Sequence, residues 1–167
     1  GTGFPGYRKG DKSQDRSYVL IDAPQDMAYY KEMEVFGAGA WGGVGMKTFL
    51  DPSTTDAAAL DGHSTVIDLV RGQIGAAYGG SYAEGITRRT VVNVPEQSTI
   101  KIKNIFGGAY GTLILPPCDV YESNVNYRNT GENALVTGKI YGGNNSDRRT
   151  LYTHVNISSP VWSDKGN

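Results

Sequence analysis

The chain is poor in the residues that most often do chemistry. One cysteine and two histidines occur in 167 residues. A lone Cys118 excludes an internal disulfide and a thiolate metal cluster. It follows Pro116-Pro117 with no evident catalytic partner. Neither His63 nor His154 stands at metal-ligand spacing from another His or Cys. No metal and no cofactor is therefore expected. An excess of one charge is missing too. Sixteen basic side chains against seventeen acidic ones leave a net charge of -1. That balance argues against nucleic acid, which asks for a basic face to neutralise phosphates. No apolar run approaches the roughly 18 residues of a membrane span. No signal peptide opens the chain, and a secreted protein whose signal has been removed reads the same way. The length suits one domain, taken as 1–167, since two cores of this size would each be marginal.

Glycine and tyrosine are abundant, at 23 and 11 residues, and their placement is periodic. A small aromatic-glycine cluster recurs as Val35-Phe36-Gly37, Ala77-Tyr78-Gly79-Gly80, Ile105-Phe106-Gly107-Gly108 and Ile140-Tyr141-Gly142-Gly143. Between these clusters and after the last lies a second element: Ser or Thr, any residue, Val or Ile, Asn or Asp, then an apolar residue. It reads Thr65-Val66-Ile67-Asp68-Leu69, Thr90-Val91-Val92-Asn93-Val94, Ser123-Asn124-Val125-Asn126-Tyr127 and Thr153-His154-Val155-Asn156-Ile157, with a weaker copy at Ser17-Tyr18-Val19-Leu20-Ile21. Tyr78 to Asn93 and Tyr141 to Asn156 are both fifteen residues apart. Fixed phase between two alternating elements is the signature of a stacked repeat.

The segments are strands rather than helices. Thr90, Val92 and Val94 alternate with Val91 and Asn93, which puts the first set on one face. Thr, Val, Ile and Tyr fill the segments, and Gly, Asn, Pro and Ser punctuate them. Such repeats bury their apolar face only by stacking. Ile67, Val92, Val125 and Val155 are expected to form one inward column, and Leu69, Val94, Tyr127 and Ile157 a second. Phe36, Tyr78, Phe106 and Tyr141 are expected to fill a corner. The glycines after each aromatic suit positive φ or close backbone approach. Alternation directs Asp68, Asn93, Asn126 and Asn156 outward as a polar ladder. The fold class expected is all-β: a right-handed parallel β-helix, or β-solenoid, of about five turns. Its repeats span 17–157. Residues 46–62 form an inserted loop or short helix, with Pro52-Ser53-Thr54-Thr55-Asp56 before an alanine run. Residues 158–167 form a cap or a truncated turn.

These units resemble the glycine-rich β-helix repeats of large bacterial surface proteins, including those of gut Bacteroides-type bacteria. Ile140-Tyr141-Gly142-Gly143-Asn144-Asn145 and Thr153-His154-Val155-Asn156-Ile157 carry the likeness best. The resemblance implies the right-handed sense, a secreted or cell-surface location, and an adhesin-like or structural role.

Several side chains are candidates for binding. Tyr82 and Tyr152 are expected to lie outside the core, where a ring can stack on a sugar face. Arg88-Arg89 and Arg148-Arg149 occupy comparable places in two repeats, which would make one basic patch for acidic glycans. A solvated face balanced by Glu84 and Asp147 is the competing account. The polar ladder can contact sugars or a cation, or simply hydrogen-bond between turns. Asp22, Asp26, Glu32 and Glu34 are the one acidic group that would suit a polysaccharide lyase or hydrolase. The leading expectation is a non-enzymatic surface module engaging glycans or neighbouring surface proteins. The alternatives are a β-helix lyase or hydrolase and a purely architectural spacer. Open strand edges at the ends of such a stack allow end-to-end self-association.

Overall fold

The computed structural model describes residues 17–24, 32–40, 44, 64–83, 85–111, 118–129, 135–146 and 149–158. The expected insertion at 46–62 lies outside them, as does the 159–167 part of the expected cap. The described chain is nearly all β. Its strands are β1 (Ser17–Asp22), β2 (Glu34–Phe36), β3 (Ser64–Arg71), β4 (Gln73–Tyr78), β5 (Thr87–Val94), β6 (Lys101–Phe106), β7 (Val120–Tyr127), β8 (Leu135–Val136), β9 (Ile140–Tyr141) and β10 (Thr150–Ile157). They form two sheets. The first has the order β1-β3-β5-β7-β10, and the second runs β2-β4-β6-β8 with β9 also on β6. Every pairing is parallel. The chain therefore passes from one sheet to the other and back, an arrangement compatible with a β-solenoid.

Each sequence element belongs to one sheet. The Ser/Thr-x-Val/Ile-Asn/Asp strands make the first and the aromatic-glycine strands the second. In the first sheet Val19 faces Ile67, Ile67 faces Val92, and Val92 and Val155 both face Val125. Ile67, Leu69, Val92, Val94 and Val125 are fully buried, joined by Ile74, Ala77, Ile102 and Ile105 from the second sheet. Removing each large aliphatic side chain from water stabilises by about 1.5–3 kcal/mol. The inward columns are incomplete at one edge. Val155 is 42% exposed and Ile157 41%. Only β7 pairs with β10, and no strand of the second sheet follows β10 among the described residues.

One hydroxyl per repeat ties the sheets together. Ser17, Thr65, Thr90 and Ser123 are buried. They donate to the carbonyls of Gly37, Gly79, Gly107 and Gly142, one after each aromatic ring. The Thr65 bond is 2.6 Å. Burial without a partner would cost roughly 1–3 kcal/mol, so this position demands a small hydroxyl residue. The motif glycines are required by close approach and not by positive φ, which occurs at Gly72, Gly85 and Gly111 instead. A Cβ on Gly79 would lie 2.7 Å from Thr90 Cβ and would also collide with the Gly107 carbonyl.

The expected column of rings forms, as a second buried cluster separate from the main core. Ile105 belongs to the central cluster, and its neighbour Phe106 belongs to a second cluster with Ala76 and Tyr78. Adjacent strand residues face opposite ways, so the rings cover the outer face of the second sheet.

Candidate functional site

Two arrays of ordered side chains lie off the central core. The first is the polar ladder. The register aligns Leu20, Asp68, Asn93, Asn126 and Asn156 across all five strands of the first sheet. Asn93 Nδ2 donates to Asp68 Oδ1 at 2.7 Å, Asn126 Nδ2 to Asn93 Oδ1 at 2.9 Å, and Asn156 Nδ2 to Asn126 Oδ1 at 2.9 Å. The direction follows from chemistry. An ionised carboxylate only accepts, so Asn93 turns its NH2 toward Asp68 and its oxygen toward the next amide. Each later amide repeats that choice. The other Asp68 oxygen accepts from the Tyr18 hydroxyl at 2.8 Å. That bond to a charged acceptor holds the Tyr18 pKa above its ordinary value, with desolvation and the Asp68 charge adding to it. The ladder is closed by Asp68 and Tyr18 at one end, and it ends at Asn156 at the other.

The second is an aromatic ridge on the far face of the second sheet, whose central rings, Tyr78 and Phe106, are themselves buried at 3% and 4% exposure. Phe36, Tyr78, Phe106 and Tyr141 stack in one column, with successive centroids 5.0, 4.7 and 4.6 Å apart and planes within 8°, 9° and 7°. Tyr82 and Tyr110 stack on each other at 5.2 Å. They meet this column edge-on: Tyr82 lies 5.4 Å from Phe36, and Tyr110 lies 5.3 Å from Tyr78. Offset-stacked and edge-to-face contacts both suit the ring quadrupole. Tyr82 is 37% exposed and Tyr141 38%. The Tyr78 hydroxyl donates to Glu34 Oε1 at 3.2 Å. Burial, first, and the Glu34 carboxylate, second, push the Tyr78 pKa well above its ordinary value. Burial alone raises that of Tyr127.

The expected binding residues do not assemble into one site. Tyr82 belongs to the ridge, whereas Tyr152 projects from β10 of the first sheet with its ring 5.5 Å from Tyr121. Among the described residues, Arg88, Arg89 and Arg149 do not form the expected basic patch. Arg88 is 2% exposed, because it shares strand parity with the inward Thr90, Val92 and Val94. Two adjacent strand residues cannot both face outward. Arg89 does face outward, but its Nε and Nη2 both reach Glu122 Oε2 at 3.2 Å. Arg149 pairs with the buried Asp119 at 2.8 Å, and its backbone N–H donates to the other Asp119 oxygen. Arg148, with the suggested counter-ions Glu84 and Asp147, lies outside the described residues. The acidic partners are Glu122 and Asp119, both supplied by the β7 segment.

The acidic group is dispersed as well. Asp22 lies in the first sheet, paired with Arg71 at 2.9 Å. Glu34 lies in the second sheet beneath Tyr78, Glu32 is exposed, and Asp26 is outside the described residues. Cys118 is buried beside Ala109 and Val120. Among the described residues, no three His, Cys, Asp or Glu side chains converge as a metal site. None of the described helices is long and apolar enough to cross a membrane.

Sequence reasoning gave no role to Asn144, which organises the turn after β9. Its Oδ1 accepts from Ala109 N at 2.8 Å and Thr150 Oγ1 at 2.9 Å, and its Nδ2 donates to the Arg149 carbonyl. Its place after the last Gly-Gly pair was the available signal. No protein-family model matches the chain, and no curated protein or solved structure is significantly similar to it.

Proposed function

We propose that the chain is a non-enzymatic, secreted or cell-surface β-helix module with an adhesive or structural role, and that its aromatic ridge engages glycans. The fold we assign is a right-handed parallel β-solenoid of about five turns. The right-handed sense rests on the strong preference of parallel crossovers for that hand. The observation that carries the functional reading is the ridge itself. Six rings pack in order along one sheet face; Tyr78 and Phe106 are buried within the array, and Tyr82 and Tyr141 are partly open to water. Tyrosine offers large, rigid contact area at low conformational cost, together with a polar hydroxyl. A ladder that bonds to itself and arginines neutralised by Glu122 and Asp119 leave the ridge as the better candidate for a neutral polymer.

The test is a binding screen of the purified chain on host and microbial polysaccharides, with parallel assays for new reducing ends and unsaturated products. Saturable binding without products is expected, weakened about fivefold or more in Tyr82→Ala, since losing a stacking ring costs on the order of 1–3 kcal/mol. Tyr152→Ala, on the other sheet, is expected to bind as the parent does. Product formation would replace this reading with an enzymatic one, and silence in every assay would leave an architectural spacer.

A further inference from the structure

The cations of the two sheets are treated differently. Along the first sheet, Arg71, Arg89 and Arg149 meet Asp22, Glu122 and Asp119 from a neighbouring strand or its approach. On the second sheet, Lys101 and Lys103 of β6 are exposed on either side of the buried Ile102, and Lys139, just before β9, is exposed as well. None of these three side chains has an ion pair or a hydrogen bond among the described residues. They stand close together. Alternate residues of a strand lie about 6.6 Å apart and neighbouring strands about 4.8 Å apart. Gly138 N–H donates to the Lys103 carbonyl at 2.8 Å, and Ile105 N–H donates to the Lys139 carbonyl at 3.0 Å. Asn104 Oδ1 fixes the same stretch by accepting from Lys139 N at 3.0 Å, and a Cβ on Gly138 would collide with that oxygen. Each lysine therefore has another within the roughly 8 Å over which physiological salt screens a charge. The acids of this sheet lie elsewhere. Glu32 and Glu34 are at the β2 side, and β4 places the uncharged Gln73 and Gly75 in between. Exposed Glu96, in the turn before β6, pairs with none of the lysines.

We propose that Lys101, Lys103 and Lys139 form a binding surface for an acidic polysaccharide, one that carries sulfate or carboxylate groups along its chain. Charge complementarity selects the ligand: the anionic groups supply the counter-charge that the protein's own side chains do not. An ammonium is a compact charge with three rotatable donors, so it follows anions whose angle varies along a polymer, where a guanidinium fork selects one planar partner. The footprint is short. Three lysines fall below the about four to eight that mark an anionic membrane surface and the roughly six to ten phosphate contacts typical of tight duplex binding. Tyr141 projects on the same side as Lys139, two residues further on, and is 38% exposed, so a sugar ring beside the bound anion has an aromatic neighbour.

This surface is chosen by charge and the ridge by its rings, so neutral polymers with Tyr82→Ala test one and the lysines test the other. The probe is dextran sulfate, titrated into the full chain by calorimetry at low ionic strength. Unsulfated dextran of the same length is its neutral counterpart, and polygalacturonate tells carboxylate from sulfate. Saturable binding of a charged polymer is expected, weakening as salt rises because counterions are released on binding. Lys101→Gln, Lys103→Gln and Lys139→Gln should each weaken it about fivefold, the scale of one lysine at an anionic surface, and together at least about fiftyfold. Lys103→Arg should retain binding, which separates charge from folding. Arg71→Gln removes one positive charge from the other sheet and should leave the affinity unchanged. Absence of saturable binding by both charged polymers would overturn the proposal, and so would equal weakening by Arg71→Gln. Tighter binding to phosphatidylserine vesicles or to duplex DNA would overturn it in favour of a membrane or a nucleic acid. Low-salt association of the chain alone, relieved by Glu32→Gln, would overturn it in favour of a second copy.

Discussion

A methyl group added at Gly79 has no space to enter, because the next repeat's backbone already occupies it. The added Cβ would meet Thr90 Cβ at 2.7 Å and the Gly107 carbonyl, neither of which can move without opening the hydroxyl bond between the sheets. Gly79→Ala is expected to cost about 3 kcal/mol, the upper range for overpacking. Gly143→Ala is the control. Its Cβ would find Thr150 Oγ1 at 3.7 Å, an ordinary contact, and its φ is not positive. That change should stay within about 0.5 kcal/mol, and urea denaturation of both variants tests the contrast. Tyr78 supplies a second prediction. Its folded-state pKa lies above the ordinary 10.0, so the folded chain holds the hydroxyl proton more tightly than the unfolded chain. The associated stability is complete below about pH 10 and declines as pH rises through that value. Urea midpoints are expected to fall from there upward. Tyr78→Phe should lessen that fall while costing no more than about 1 kcal/mol at neutral pH. Raised values at Tyr127 and Tyr18 leave some alkaline dependence behind.

Among elements, the strands of the first sheet are joined by more than their backbones. Asn93 both donates to Asp68 and accepts from Asn126, whereas Asn156 only donates. With each net hydrogen bond worth about 1 kcal/mol or less on a half-buried face, Asn93→Ala should lose roughly twice as much stability as Asn156→Ala. Equal losses in chemical denaturation would mean that the amides act separately and not as a series. The strands themselves were largely legible in the sequence. Alternation within Thr90-Val91-Val92-Asn93-Val94 sorts its inward and outward residues, and the common phase of the two motifs separates the sheets. The candidate sites were less legible. The pairing of Arg88 with Arg89 as one patch overlooked that same alternation, which turns Arg88 inward. The partners of Arg89 and Arg149, Glu122 in β7 and Asp119 just before it, lie more than twenty residues away in sequence and depend on register that no local pattern displays. The same holds for the edge-on approach of Tyr82 and Tyr110 to the ring column. The division of the second sheet's last strand into β8 and β9 was not visible either. Asn104 marks that break, accepting from Lys139 N at 3.0 Å where a continuous strand would pass.

For the whole molecule, stacking of like on like makes stability a sum of neighbouring interfaces. Among the described strands, an inner strand of the first sheet has a partner on each side, whereas β1 and β10 have one each. The two outer strands also differ. β1 is tied by Ser17 to Gly37 and by Tyr18 to Asp68, while β10 leaves Val155 and Ile157 open to water. Opening should therefore begin at β10 and reach β5 last, since β5 joins β3 and β7 and its Val92 and Val94 are fully buried. Native-state hydrogen exchange reads this directly, because local openings cost less than global unfolding wherever few buried contacts are lost. The expected order of protection is β5 highest, β3 and β7 next, β1 lower, and β10 lowest. The same protection across all five strands would mean that the sheet opens only as one unit, which would contradict an additive stack. Higher protection in β10 than in β1 would show that the polar closure at Asp68 contributes less than the apolar edge it is compared with.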